Sequence, residues 1–332
     1  MTVVTVLSLT TLEAQAALLV SSRLNNRVLL YNETTGAFID TFVAPGSGGL
    51  AGPDGLVIGP DNNLYVSSNF NRSVLRYDAK TGNFIDAFVP AGRGGLVGPT
   101  GLAFGQDNNL YVSSVDFNFN TGIVLGSSVL RYDGKTGAFI DAFVPSGSGG
   151  LEGGLGLAFG PDNNLYVSSL NSDSILRYSG ETGAFIDAFV PAGSAGLDLP
   201  AGLTFGADSN LYVSSLNSNS VLRYDGRTGA FIDAFVPSGS GGLAGPTGLT
   251  FGPDNNLYVN SLNSNSVLRY DGRTGAFIDA IVPPGNGGLN QPAGVIFVSN
   301  RVSVPEPSSG LSLLGLGASI AASLVLKQKQ LG

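Results

Sequence analysis

The chain has 332 residues, 43% hydrophobic and only 12% charged, with 49 glycines and a formal net charge of −8. It contains no histidine and no cysteine, which excludes imidazole bases, Ser-His-Asp triads, ordinary zinc sites, thiol nucleophiles and disulfides. The glycines disfavour long helices, the recurring aromatics argue against disorder, and the acidic balance opposes nucleic-acid binding, which needs a basic footprint.

Residues 1–16, MTVVTVLSLTTLEAQA, join an apolar run to Ala14-Gln15-Ala16, a small-x-small cleavage pattern. No basic leader precedes the run, so a truncated signal peptide is expected there. Residues 17–53 then supply three β-prone runs, ALLVSS, RVLLYN and FIDTFV. From residue 55 one unit repeats, read clearly in GLTFGPDNNLYVNSLNSNSVLRYDGRTGAFIDAIVPPGNGGLNQP at 248–292. Units start at Gly55, Gly101, Gly156, Gly202 and Gly248, and a last fragment starts at Gly294. Four spacings are 46 residues and one is 55, because the second unit carries nine extra residues within VDFNFNTGIVLGS at 115–127.

Each unit holds four short strands, predicted in the first at 55–58, 64–67, 73–78 and 84–89. Asp61-Asn62-Asn63 and Lys80-Thr81-Gly82 supply the tight turns between them, and a Pro-Gly-rich stretch crosses to the next unit. Four antiparallel strands per 40–50 residues mark a propeller blade. The last fragment, GVIF at 294–297, offers only a first strand, and 17–53 offer only the other three. Together they make one composite blade, so the chain is predicted to be all-β: a six-bladed β-propeller of four-stranded blades, closed by pairing its two ends.

Tyr65, Tyr77, Phe84, Phe88 and their copies recur once per unit and are expected to pack between blades. Arg76, Arg131, Arg177, Arg223 and Arg269 on the third strand face Asp86, Asp141, Asp187, Asp233 and Asp279 on the fourth, an arrangement suited to cross-strand ion pairs. The composite blade has Leu30 and Asp40 there and lacks the pair. The segments GPDNNLYVSS and NNRVLLY carry a resemblance to the NHL repeat over residues 17–300. That resemblance implies a propeller, and leaves function open, because NHL-like propellers include both binders and enzymes.

Toward the C-terminus, a linker at 301–307 contains Val304-Pro305-Glu306-Pro307. Nineteen uncharged residues follow at 308–326, then a basic tail at 327–332 with Lys327 and Lys329. As a helix this run spans about 28 Å, close to the hydrocarbon thickness of a bilayer, so a transmembrane helix is expected at 308–326 with the lysines on the cytoplasmic side. Motif, span and basic tail together resemble the PEP-CTERM sorting signal. The resemblance implies an exosortase-type sorting enzyme as partner, membrane anchoring in the bacterial envelope, and cleavage near Pro-Glu-Pro with release to the surface or extracellular matrix.

No catalytic motif, cofactor motif or metal-ligand cluster is legible. The five glutamates are Glu13, Glu33, Glu152, Glu181 and Glu306, and most aspartates occupy turn positions. The Gly-rich connectors, such as GSGGLAG at 46–52, lack the Lys-Ser/Thr of a phosphate loop. Function in a repeat protein is sought where the repeat breaks. The insertion brings Asp116, Phe117 and Phe119; the inter-blade connections bring Arg93, Glu152 and Asp198. Both kinds of loop reach one face of a propeller, so these residues form the candidate ligand rim, suited to a glycan or a protein ligand. The expected function is a non-catalytic binding or structural module of the envelope or exopolysaccharide matrix. The competing expectation is a carboxylate- or metal-dependent lyase or hydrolase, which requires two or three carboxylates around the central channel; a channel of apolar strands and glycine favours the binder.

Overall fold

The computed structural model describes residues 16–118 and 123–298. The signal segment up to residue 15, the Pro-Glu-Pro linker, the 308–326 span, the basic tail and Phe119 lie outside the described residues. Among the described residues, no helix is long and apolar enough to cross a membrane.

The described residues form six antiparallel sheets of four strands each. Blade I is the composite: Pro292–Val298 pairs with Ala17–Ser22, followed outward by Arg27–Asn32 and Phe38–Val43. Blade II runs Pro53–Ile58, Asn63–Ser68, Ser73–Asp78, Phe84–Val89, and blades III to VI repeat it, starting at Pro99, Gly154, Pro200 and Pro246. The first strands start two residues earlier than the sequence suggests. In blade II, Pro53 pairs with Ser68 across a bulge before Leu56. The insertion lengthens the central hairpin of blade III into Leu110–Asn118 and Ile123–Tyr132, with Phe117 opposite Val124.

Strand patterning follows from the packing. The second strand of a blade, such as Leu165–Ser169, is buried at every position, because both faces of its sheet meet a neighbouring blade. The outermost strand, such as Phe185–Val190, is buried only at its last two residues. The core is accordingly six clusters, one between each adjacent pair of blades. The cluster between VI and I joins Tyr258, Val267 and Val282 to Leu18, Leu29 and Tyr31, so the seam is packed like every other junction.

Of the recurring aromatics, Tyr65, Tyr77 and Phe88 pack between blades, whereas Phe84, on the outermost strand, stays 41% exposed. The Tyr65 ring meets Phe88 edge-on at 4.9 Å and Phe104 of the next blade at 5.0 Å. Tyr77 donates its hydroxyl to the Ser47 carbonyl of the preceding connector at 2.8 Å. Phe84 lies over that connector's Gly48, where a Cβ would stand 2.2 Å from the ring. Each connector carries a short 3₁₀ turn, such as Ser47–Gly49, within the Pro-Gly-rich stretch.

The arginine–aspartate pairs form in all five blades that carry both residues. Arg76 Nε and Nη2 donate to Asp86 Oδ1 and Oδ2 at 3.1 and 2.6 Å, and the guanidinium stacks 5.0 Å over Phe88. The same arginine reaches Asp61, the hairpin aspartate, at 3.2 Å. In blade I, Leu30 is fully buried opposite Asp40, so apolar packing stands where the others place an ion pair.

Candidate functional site

The six first strands line a central channel, and the repeat glycines determine how closely they approach. A Cβ on Gly55 would lie 2.3 Å from the Thr100 carbonyl oxygen. The same holds from blade to blade until Gly294, whose Cβ would lie 2.3 Å from the Asp54 oxygen and so complete the ring. Behind the glycines, serines stitch neighbouring blades. Ser67 Oγ accepts the Gly55 N–H at 2.7 Å and donates to the Thr100 carbonyl at 2.7 Å. Ser21 and Ser168 do the same at their junctions.

One end of the channel opens as a cavity of about 320 Å³ whose wall is mainly leucine, glycine and small residues. Its one carboxylate among the described lining residues is Asp54, at the position held elsewhere by Thr100, Leu155, Ala201, Thr247 and Ala293. Burial pushes the Asp54 carboxyl up, and Arg23, with Nη1 at 3.8 Å, opposes that rise. Glycoside hydrolysis by carboxylates alone uses two of them, and the channel wall supplies this one. No group of three or more acidic residues that could hold a metal ion occurs among the described residues.

Beside the channel mouth, on the face bearing the second-to-third-strand turns, lies a groove of about 400 Å³. Arg23, Thr100 and Leu155 line both spaces, so the groove runs into the mouth. Its floor is apolar, from Val97, Val115, Val124 and Leu170. Around that floor stand Phe70, Phe117, Asp116, Arg23 and Arg72. Arg23 sits 5.5 Å over the Phe70 ring. Asn69, also on the wall, donates to the Pro99 carbonyl at 3.1 Å.

Of the rim residues picked from sequence, Asp116 and Phe117 lie in this groove. Arg93 does not: it is exposed on the 3₁₀ turn between blades II and III. Glu152 and Asp198 lie on later connectors, each accepting a hydrogen bond from the turn asparagine of its own blade, Asn171 at 3.4 Å and Asn217 at 3.1 Å. They share the face and remain outside the groove. Phe119 is outside the described residues. The sequence reading missed Arg23, Phe70 and Arg72. Their signal was available in the turn residues Arg23-Leu24-Asn25-Asn26 and Asn69-Phe70-Asn71-Arg72, which depart from the Leu-Asn-Ser-Asn pattern of blades V and VI.

No known protein family matches the sequence, and no curated protein matches it. Solved structures do resemble the fold. A chain of the nidogen/laminin complex aligns with a TM-score of 0.65 at 16% identity, covering 86% of this chain and 99% of that one. XC5397, a gluconolactonase from Xanthomonas campestris, aligns at 0.57 with 20% identity over 74% and 79%. A Bacteroides caccae protein of unknown function aligns at 0.62 with 11% identity over 86% and 99%. At these identities the likeness extends to the fold alone: the chain is a six-bladed β-propeller.

Proposed function

We propose that the protein is an exported, PEP-CTERM-sorted propeller that acts as a binding module of the bacterial envelope or its exopolysaccharide matrix, with its ligand held in the groove of blades I to IV. One observation carries the reading. The departures from the repeat at the turns of blades I, II and III converge on a single concave site, although they lie up to a hundred residues apart in sequence. Aromatic walls, an apolar floor and a few converging polar groups are the general make-up of a ligand pocket. The address rests on Val304-Pro305-Glu306-Pro307, the 308–326 span and the two tail lysines.

Two measurements test it. Fractionation of cells producing the full chain, and the chain lacking 304–332, should find the first in the envelope and the second displaced from it. Equal distribution would reject the address. Binding of the full chain to an array of envelope and matrix glycans should be lost when the blade III hairpin, 115–127, is shortened to the length of its counterparts. Retained binding would remove the groove from the reading.

A further inference from the structure

We propose that the groove is a carboxylate site that takes a ring-bearing ligand with a single carboxylate, and that Arg72 is the residue that selects it. This rests on the groove being the binding site and adds the chemical class of the ligand.

The argument starts from a missing hydrogen bond. In four blades the last residue of the central turn carries a side-chain oxygen that accepts the connector N–H 26 residues later. Asn26 holds Gly52 at 2.7 Å, Asp173 holds Leu199 at 2.8 Å, and Asn219 and Asn265 hold Gly245 and Gln291 at 2.7 Å. In blade II the same position is Arg72, at φ 55. Arginine has no acceptor, so the Gly98 N–H, on the groove wall, is left without one among the described residues. A left-handed turn position favours asparagine, and a long cationic side chain there brings no gain to the turn itself. The exchange replaces an acceptor with a donor and adds a guanidinium to the groove.

The result is a wall rich in donors. Arg72 has no ion-pair partner among the described residues, and Arg23 holds Asp54 only at 3.8 Å. A guanidinium's planar fork matches a carboxylate with two parallel bonds, in a protein whose net charge otherwise repels anions. Phe70 and Phe117, 48% and 39% exposed, line the groove and add apolar surface to it, and about 400 Å³ accommodates one ring with its substituents. Asp116 on the same wall repels a second carboxylate and accepts a hydroxyl. A free cyclic or aryl carboxylate and a hexuronate residue of a glycan share this chemistry.

Calorimetric titration of the full chain separates the cases. The probes are 3-phenylpropionate, a glucuronate-terminated trisaccharide, the methyl ester of each, and the matching neutral glucose trisaccharide. Binding of either acid, with its ester weaker by about tenfold or more, supports the proposal, and which acid binds identifies the source. Arg72→Asn should weaken the acid by about tenfold or more while melting at or above the parent temperature, because it installs the residue used at Asn26, Asn219 and Asn265. Arg72→Lys, which keeps the charge and loses the fork, should fall between. The proposal is overturned if neither acid binds, if ester and acid bind alike, or if Arg72→Asn binds the acid unchanged. Neutral trisaccharide binding that Phe70→Ala abolishes would leave the groove as the binding site and discard the carboxylate.

Discussion

Individual residues reveal themselves by comparison with their copies. Ala195 sits at φ 54 inside a connector turn whose counterparts are Gly48, Gly94, Gly149, Gly241 and Gly287. A side chain in the left-handed region costs roughly 1–2 kcal/mol, while glycine's extra freedom in the unfolded chain returns about 0.4–1 kcal/mol of that. Ala195→Gly should therefore stabilise the propeller by about 1 kcal/mol and raise the melting temperature by about 2 °C, measured by thermal denaturation. An unchanged or lower midpoint would mean that the connector has relaxed around the methyl group. Asn260 is a second exception: it is fully buried where other blades carry serine, and neither amide atom has a partner among the described residues.

Elements are held by turn chemistry that titrates. Asp78 accepts the Thr81 hydroxyl and the Thr81 and Lys80 N–H groups, and these bonds hold its carboxyl below the usual range. Asp133, Asp225 and Asp271 are lowered by the same arrangement. At Asp61 burial pushes upward, and bonds from Asn63, Tyr65 and Arg76 more than reverse it; Asp162 behaves alike. In each case the unfolded chain takes up the proton at a higher pH than the folded one. The stabilisation is therefore complete above the unfolded value and is lost as pH falls through the folded one. Asp54 and Glu33, raised by burial, run the opposite way. Because the lowered groups outnumber the raised ones and the chain has no histidine, the melting temperature should be level from about pH 6 to 8 and fall progressively below about pH 4. Melting curves recorded across that range check this; a midpoint that holds constant down to about pH 2.5 would contradict it.

For the whole propeller, closure is the decisive feature. The Pro292–Val298 strand supplies the channel-side edge of blade I and buries Val295 and Val298 against the chain's first strand and its neighbours. Ending the chain at residue 298 should leave unfolding unchanged. Ending it at residue 291 removes at least two fully packed side chains and should cost more than about 3 kcal/mol, with loss of a single cooperative transition in denaturant. Equal stability of the two truncated chains would show that the seam contributes nothing.

Much of this was legible in the sequence because repetition multiplies each signal. The 46-residue period, the turn aspartates and asparagines, the Arg76–Asp86 type pairs and the composite blade all depend on local patterns copied several times. Hairpin turns are local, and a strand's pairing partner lies within a few residues of its turn, so chain order is enough to read them. The blade count followed from the two incomplete ends, since an open sheet edge is costly to leave unpaired. Grouping of the rim residues could not be read that way. Arg93, Glu152 and Asp198 break the repeat as plainly as Asp116 and Phe117 do, yet only the latter two reach the groove. Arg23 lies on blade I, Phe70 and Arg72 on one turn of blade II, and Asp116 and Phe117 on blade III, and they meet only because the ring brings the turns of these three blades to one side of the channel mouth. The sequence by itself determined the propeller and its seam, through short-range hydrogen bonding and hydrophobic repetition. Only the tertiary structure decided which irregular side chains share a groove, because that depends on the rotation from blade to blade and on the hydrogen bond that Arg72 cannot make.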